Sequence, residues 1–255
     1  MGSTALPSIL ALDIGNTRTA AAVTRGGRPP RMRGRVDVET SGLPGALRWA
    51  KLKKAEAEVA VCSSVVPPIE RKLAAQVRAR LGLKLLFLEK DFRAPLSVPK
   101  GTRSGIGPDR LAAACGALAV HRGGAVVVDF GSAVTVDLVT GDGHYHGGTI
   151  GPGVRTGLEG LAARCARLPR MKLGKPRRAL GISTRAAMLS GSVIGAAGAV
   201  DRLIGDIFAE KKLELPVIAT GGEAALVAPF SRRIGLVREH LTLEGLVRAF
   251  EDTRG

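Results

Sequence analysis

Asp13-Ile-Gly-Asn-Thr-Arg-Thr19 and Asp129-Phe-Gly-Ser-Ala-Val-Thr135 are the two stretches on which the reading of this chain turns. Both follow the pattern D-x-G-x-x-x-T. Each closes a short apolar run, Ser8-Ile-Leu-Ala-Leu12 in the first case and Gly124-Ala-Val-Val-Val128 in the second. A further apolar run follows each, Ala20 to Thr24 and Val134 to Val139. Run, tight turn and run predict a β-hairpin, and Asp142-Gly143 signals another hairpin turn after the second. The hairpins stand half a chain apart, which marks a duplicated domain rather than a short-period array. The boundary is expected within or just after a helix from Arg110 to His121, giving an N-terminal domain over 1–117 and a C-terminal domain over 118–255.

Outward from the hairpins the pattern alternates. Ala46 to Lys54 has helical spacing, Glu58 to Cys62 reads as a buried strand, and Ile69 to Leu81 as a helix entered through Val65-Val-Pro-Pro68. Leu83 to Leu88 resembles a strand, and Pro95 to Pro108 is a loop rich in Gly, Pro and Ser. Arg185 to Glu210 is helical, Pro216 to Ala219 a strand, and a closing helix follows Leu243. Gly147-Gly-Thr-Ile-Gly-Pro-Gly153 is expected to be a Gly-rich loop that brings backbone close to a ligand. Arg25, Arg28, Arg31, Arg33 and Arg35 are expected in a Gly/Pro-rich turn. Strands alternating with helices place the chain in the α/β class.

Composition narrows the function classes. Of 255 residues, 45% are hydrophobic and 24% charged, ordinary globular usage that argues against disorder. No uninterrupted apolar run reaches the roughly 18 residues of a membrane span. Met1 to Pro7 lacks the basic stretch and apolar core of a signal peptide. Cys62, Cys115 and Cys165 lie far apart with no C-x-x-C, which fits reduced thiols better than a disulfide frame or a zinc site. These features read as soluble and cytoplasmic. Lys+Arg 38 against Asp+Glu 22 leaves a net charge of +16, a balance that raises nucleic acid as a partner. Aromatics at 3% leave few stacking platforms for single strands. Part of the charge lies between Arg164 and Arg178, with Lys172 and Lys175, and reads as solvated surface or as an attractor of small anions.

The candidate chemistry starts at the two acidic turns. A carboxylate at the end of a buried strand is rigidly held, where it can bind a cation or the cation's water shell. The glycine after it lets backbone N–H groups approach a phosphate, and Asn16, Thr17, Ser132 or Thr135 adds side-chain donors. One such turn is also an ordinary hairpin turn; two point to a pair of phosphate-binding hairpins facing a cleft. Thr220-Gly221-Gly222-Glu223 joins a strand to a helix, where exposed amides and absent side chains suit an adenosine ring. Gly107-Pro108-Asp109-Arg110 opens a helix. Asp109 is either its N-cap or a base that takes a proton from an acceptor hydroxyl, with Arg110 orienting an anionic substrate. His144 and His146 alternate on an expected strand start and read as polar surface. The chain has no G-x-x-x-x-G-K-[ST], because Gly174-Lys175 is followed by Pro176. It also lacks G-x-G-x-x-G, H-E-x-x-H and the protein-kinase H-R-D.

Taken in order, Asp13-Ile-Gly-Asn-Thr17, Ser63-Ser-Val-Val-Pro-Pro68, Gly107-Pro-Asp-Arg110, Asp129-Phe-Gly-Ser132, Gly147 to Gly153, Leu168-Pro-Arg170, Thr220-Gly-Gly222 and Leu241-Thr-Leu-Glu-Gly245 resemble type III pantothenate kinases over nearly the whole chain. The resemblance implies two duplicated ribonuclease-H-like domains of the actin-like ATPase fold, with an interdomain cleft. It implies transfer of the ATP γ-phosphate to the primary hydroxyl of pantothenate, the first step of coenzyme A synthesis, by a cytoplasmic homodimer using Mg²⁺ and a monovalent cation, K⁺ or NH₄⁺. Residue by residue, Asp13, Ile14, Gly15, Asn16, Thr17, Arg18, Thr19 and Ala20 would bind the ATP phosphates, with Asp13 near Mg²⁺. Ser132 would touch ATP in place of the family's usual Thr, and Asp129 would hold the monovalent cation. Gly107, Pro108, Asp109 and Arg110 would hold pantothenate, with Asp109 the proton acceptor, and Thr184 matches a substrate-contacting Thr.

The acceptor loop departs from the family pattern at four residues. Pro108 replaces an Ala, Lys100 stands near the place of a substrate-contacting Tyr, and Thr102-Arg103 replaces an Asn-Pro pair. Lys100 can pair with the pantothenate carboxylate. Two alternatives accompany the kinase reading: a non-catalytic, transcriptional activator-like relative, which the charge suits, and a kinase acting on a different hydroxyl acceptor.

Overall fold

The computed structural model describes residues 8–25, 31–42 and 57–253; Met1 to Pro7, the helix expected over 46–54 and Arg28 lie outside them. Strands β1 (Ser8–Ile14) and β2 (Arg18–Arg25) form the first expected hairpin, in register from Ser8 opposite Arg25 to Ile14 opposite Thr19. β3 (Arg31–Glu39) continues the sheet antiparallel to β2, with a register shift at Val23/Thr24. On the other side of β1 lie β4 (Val59–Ser64) and β5 (Leu85–Phe87), both parallel. The order is β3-β2-β1-β4-β5.

Helix α1 (Pro67–Leu81) makes the crossover from β4 to β5. It opens on two prolines, where a missing N–H interrupts nothing, and stops at Gly82, whose φ of 65° only glycine adopts freely. Leu73, Val77 and Leu81 on one face of α1 pack on Leu10, Leu12, Ile14, Ala60 and Cys62 of the sheet.

The second sheet repeats the plan. β6 (Gly124–Phe130) and β7 (Ala133–Thr140) are the second expected hairpin, followed by β8 (Tyr145–Pro152), β9 (Val217–Thr220) and β10 (Leu236–Val237). The order β10-β9-β6-β7-β8, counted from the hairpin, is that of the first sheet. β9 is parallel to β6 and β10 to β9, as β4 and β5 are to β1. Between β8 and β9 run α3 (Val154–Arg164) and α4 (Thr184–Lys211). α4 is long and apolar enough by composition to cross a membrane, but its stripe Val193, Ala197, Val200, Ile204 and Phe208 packs on Val126, Val128, Phe130 and Val136.

Two expectations are corrected. Arg31, Arg33 and Arg35 belong to strand β3, and Arg25 to the end of β2, rather than to a turn, and the Gly147–Gly153 stretch is mostly strand β8 rather than a loop. The described residues form two compact units. One holds the first sheet, α1, α2 (Pro108–Val120), the hairpin tip Thr140–Tyr145 and the closing helix α6 (Leu241–Asp252); the other holds Gly123–Val139 and His146–His240, including the short α5 (Ala224–Val227).

Candidate functional site

The first acidic turn is braced from behind. Asp13 lies opposite Ala20 on β2 and Ser63 on β4. Ile14 and Thr19 are buried, while Asn16, Thr17 and Arg18 are exposed. Gly15 N–H donates to Arg18 O at 2.9 Å, closing the turn. Thr40, just past β3, donates its hydroxyl to Gly15 O at 2.6 Å and its N–H to Thr17 O at 2.8 Å. The Arg18 guanidinium is engaged with Asp37, Nη2 to Oδ1 at 2.8 Å. The turn is thus held in one conformation, as an anion-binding loop must be.

Ser63 adds a feature that the sequence reading did not single out. It is fully buried beside Asp13, and its hydroxyl has no hydrogen-bond partner among the described residues. Such an orphan oxygen next to a carboxylate suits a hard cation or its water. No group of three His, Cys, Asp or Glu converges among the described residues. Mg²⁺ bound through one carboxylate and substrate phosphates needs no such group, so the residues at Asp13 fit it. Behind the turn, burial first and then the Asp13 charge push the Cys62 thiol well up from its ordinary value, which keeps it neutral.

The second turn brings three expected residues together. Asp129 pairs with Thr220 across the β6–β9 ladder. Gly221, at φ 92°, lies so close that a Cβ there would be 2.3 Å from Asp129 Oδ1 and 2.6 Å from the Phe130 carbonyl. Glu223 N–H donates to Phe130 O at 3.1 Å, fixing the strand–Gly-Gly–helix junction onto the turn. Ser132 is exposed at the tip, and its carbonyl accepts from Gly153 N–H at 3.1 Å and Thr156 Oγ1 at 2.7 Å. The start of α3 thus supports the turn, and a Cβ at Gly153 would strike Gly131 O at 2.3 Å. A carboxylate and a carbonyl beside a glycine-only gap are oxygen donors of the kind a weakly hydrated cation accepts.

At Gly107-Pro-Asp-Arg110 the cap of α2 is Gly107, so Asp109 is not the N-cap. Pro108 occupies the first helical position, where its fixed φ is suitable and its lost N–H is not needed; its departure from the family's Ala is accommodated locally. Asp109 Oδ1 accepts the Arg110 N–H at 2.9 Å, and a Cβ at residue 107 would stand 2.4 Å from that oxygen. The Arg110 guanidinium lies 5.9 Å from the ring of the buried Tyr145. Lys100 is exposed on a turn closed by Thr102 N–H to Pro99 O at 3.1 Å. Arg103 is tied to Glu89 and to loop carbonyls. Thr184, exposed, is the first residue of α4, behind a Ser183 cap that accepts the Ala186 N–H at 3.3 Å.

The first turn and the Lys100–Arg110 loop belong to one unit, and the second turn, Gly221, Gly222 and Thr184 to the other. Sequence reasoning did not pick out Thr40, Ser63, Glu89 or Tyr145. The one available signal was the run Ser63-Ser-Val-Val-Pro-Pro68, which carried the family resemblance but no role for Ser63.

Residues 9–206 match the family model for type III pantothenate kinase. The chain is 36% identical to the Type III pantothenate kinase of Anaeromyxobacter dehalogenans (strain 2CP-C) over 248 residues, 93% of this chain and 96% of that protein. It is 34% identical to that of Myxococcus xanthus (strain DK1622), with the same coverage. Among solved structures it is similar to a Baf family protein from Campylobacter jejuni, with a TM-score of 0.59 and 19% identity over 96% of this chain and 98% of that one. It is also similar to the activator of the 2-hydroxyisocaproyl-CoA dehydratase from Clostridium difficile with bound ADPNP, with a TM-score of 0.54 and 12% identity over 97% of each chain. The fold is that of the actin-like ATPases, two α/β domains of ribonuclease-H type.

Proposed function

We propose, since the chain belongs to the type III pantothenate kinase family, how its own residues divide the work of phosphorylating pantothenate. The enzyme transfers the ATP γ-phosphate to pantothenate, in coenzyme A synthesis. Phosphoryl transfer is mostly positioning and charge neutralisation, and each proposed role falls under one of these. The turn Asp13 to Ala20 binds the ATP phosphates through its backbone N–H groups and the exposed Asn16 and Thr17 side chains. Asp13, with the Ser63 hydroxyl beside it, holds the divalent ion that offsets phosphate charge. Asp129 holds the monovalent cation, while Ser132, Gly221 and Gly222 bind the nucleotide. Gly107, Pro108 and Arg110 hold pantothenate together with Lys100 and Thr184. Asp109 accepts the proton of the attacking hydroxyl at a carboxylate oxygen.

The observation that carries this reading is the family match over 9–206 in a chain whose two sheets repeat one strand order with an acidic turn at the same place in each. The repeats are assigned to 1–117 and 118–255, with the closing helix of the second packed in the first unit. A homodimer is supported by exposed aliphatic side chains, Ile150 at 66%, Leu180 at 81% and Ile182 at 91%, which a second copy would cover. A cytoplasmic location is supported by the unpaired cysteines.

A coupled assay of ADP formation with pantothenate, with and without potassium, tests substrate and ion together. Turnover that needs both is expected; ADP formation indifferent to pantothenate would overturn the acceptor assignment. Asp109→Asn should lose nearly all turnover while ATP still binds. Near-normal rates in that variant would remove Asp109 from the proton-transfer role.

A further inference from the structure

The loop before α2 departs from the family's pattern at Thr102-Arg103, and Arg103 is the most heavily bonded side chain in it. Its Nε donates to Glu89 Oε2 at 2.8 Å and its Nη2 to Glu89 Oε1 at 2.9 Å, a two-pronged pair. Nη1 donates to Leu96 O at 2.8 Å and Nη2 also to Ala94 O at 2.7 Å. Both partners are largely shielded, with side-chain exposures of 24% and 18%, so this is not a solvent-screened surface pair.

Glu89 is itself fixed. It adopts φ 66°, a left-handed conformation that side chains rarely take, and its N–H donates to Phe92 O at 2.7 Å. Its Oε1 also accepts the Ala94 N–H at 2.9 Å. The clasp therefore gathers residues 89, 94, 96 and 103 around one guanidinium. Ser97, between them, is tied to the hairpin tip: its N–H donates to Gly143 O at 2.9 Å and its carbonyl accepts the Tyr145 N–H at 2.8 Å. From there to the Gly107 cap, the regular structure is a single 3-10 turn, Arg103–Gly105.

We propose that Arg103 is a positioning residue for the acceptor substrate: its clasp on Glu89, Ala94 and Leu96 sets the course of 94–107, and with it the placement of Lys100 and Asp109. The inference rests on the assignment of that loop to pantothenate. Lys100 stands three residues before the clasp and Asp109 six after it. A lysine at 103 has one ammonium and cannot reach both Glu89 oxygens and two carbonyls from a planar fork. The arrangement thus requires arginine, not only positive charge.

Arg103→Ala and Arg103→Lys, each checked for native circular dichroism and thermal midpoint, test this. The expected result is a rise of about tenfold or more in KM for pantothenate with KM for ATP within about twofold. Added guanidinium ion should partly restore Arg103→Ala. Hydrogen exchange of the 94–107 amides reads the clasp without turnover, and faster exchange confined to that loop is expected in both variants. Equal effects on the two KM values, or unchanged exchange in a folded variant, would overturn the proposal. Wild-type protein inactive on pantothenate would instead refute the functional assignment, and the exchange experiment would still decide whether Arg103 holds the loop.

Discussion

Cys115 lies buried in α2, and burial pushes its thiol up to about 12; the charges of Asp252 and Glu89 add to the shift, and those of Arg103 and Arg248 oppose it. Cys62 is raised as well, by burial first and then by the charge of Asp13, whereas Cys165 is exposed. The thiolate is the reactive form. At neutral pH a disulfide reagent should therefore titrate one thiol fast in the native protein and three after denaturation. Two fast native thiols would contradict the burial of Cys62 or Cys115. The sign of the pH effect on stability follows. A folded-state value above the unfolded value of 9.0 means that the folded form keeps the proton longer, so the contribution of Cys115 is complete below pH 9.0 and is lost as pH rises toward about 12. Urea midpoints measured from neutral to alkaline pH should fall in that window, and fall less in Cys115→Ser. At Gly221 the argument is steric. A side chain there meets φ 92° and the Asp129 carboxylate at 2.3 Å, so Gly221→Ala should lower stability by about 1–3 kcal/mol. It should also blunt any stimulation by potassium; an unchanged midpoint and unchanged stimulation would show that the junction relaxes freely.

Helices α2 and α6 approach through glycine. A Cβ at Gly245 would sit 1.7 Å from Ala112 O, and one at Gly116 would sit 2.4 Å from Leu241 O. Since backbone rather than a flexible side-chain end stands in the way, the helices must separate to admit a methyl group, and Gly245→Ala should cost about 1–3 kcal/mol as overpacking does. A chemical-denaturation midpoint equal to wild type would refute the close approach. Leu241-Thr-Leu-Glu-Gly245 was legible as a motif in the sequence, but its reason, contact with a helix more than a hundred residues earlier, was not. The same division holds for the strands. The central hairpins β1–β2 and β6–β7 were readable because both faces of β1 and β6 are buried and their residues form continuous apolar runs. The third strands were legible only in part: the Asp142-Gly143 turn and the strand start at His144 anticipated the beginning of β8, but neither its glycine-rich continuation nor β3 read as strand. β3 and β8 are edge strands, so their composition is freed from core packing: β3 carries alternating arginines, and β8 alternates partly buried and exposed residues along a glycine-rich run. Gly148 within β8 explains itself only in the structure, because a Cβ there would meet Val136 O at 2.2 Å. At the site, the acids at strand ends were legible because their type and place are local. Their supports, Thr40, Ser63 and the Glu89–Arg103 clasp, come from distant segments and carry no local pattern.

The net charge of +16 belongs to the molecule as a whole, but it is not spread evenly. Elsewhere some cations are paired, as in Arg18–Asp37, Lys90–Glu70, Arg155–Glu223, Arg202–Asp206 and Arg248–Asp252. From Arg164 to Arg178 the sequence has no acid, and its basic side chains are exposed without an ion-pair partner among the described residues. Such a surface attracts any polyanion at low salt through counterion release, with affinity falling steeply as salt rises. That gives the kinase and the activator-like alternative different consequences. If the run is a solvated surface on an enzyme, binding to duplex DNA should be independent of sequence and should fade by about 150 mM salt. Replacing Arg164, Arg167, Arg170, Lys172, Lys175, Arg177 and Arg178 by serine should abolish the low-salt binding while leaving kcat for pantothenate phosphorylation within about twofold. Fluorescence anisotropy across a salt series, run beside the coupled assay, measures both. Tight, sequence-selective binding that persists at physiological salt in a protein that consumes no ATP would reverse the assignment, because it would require base contacts that long-range charge cannot supply.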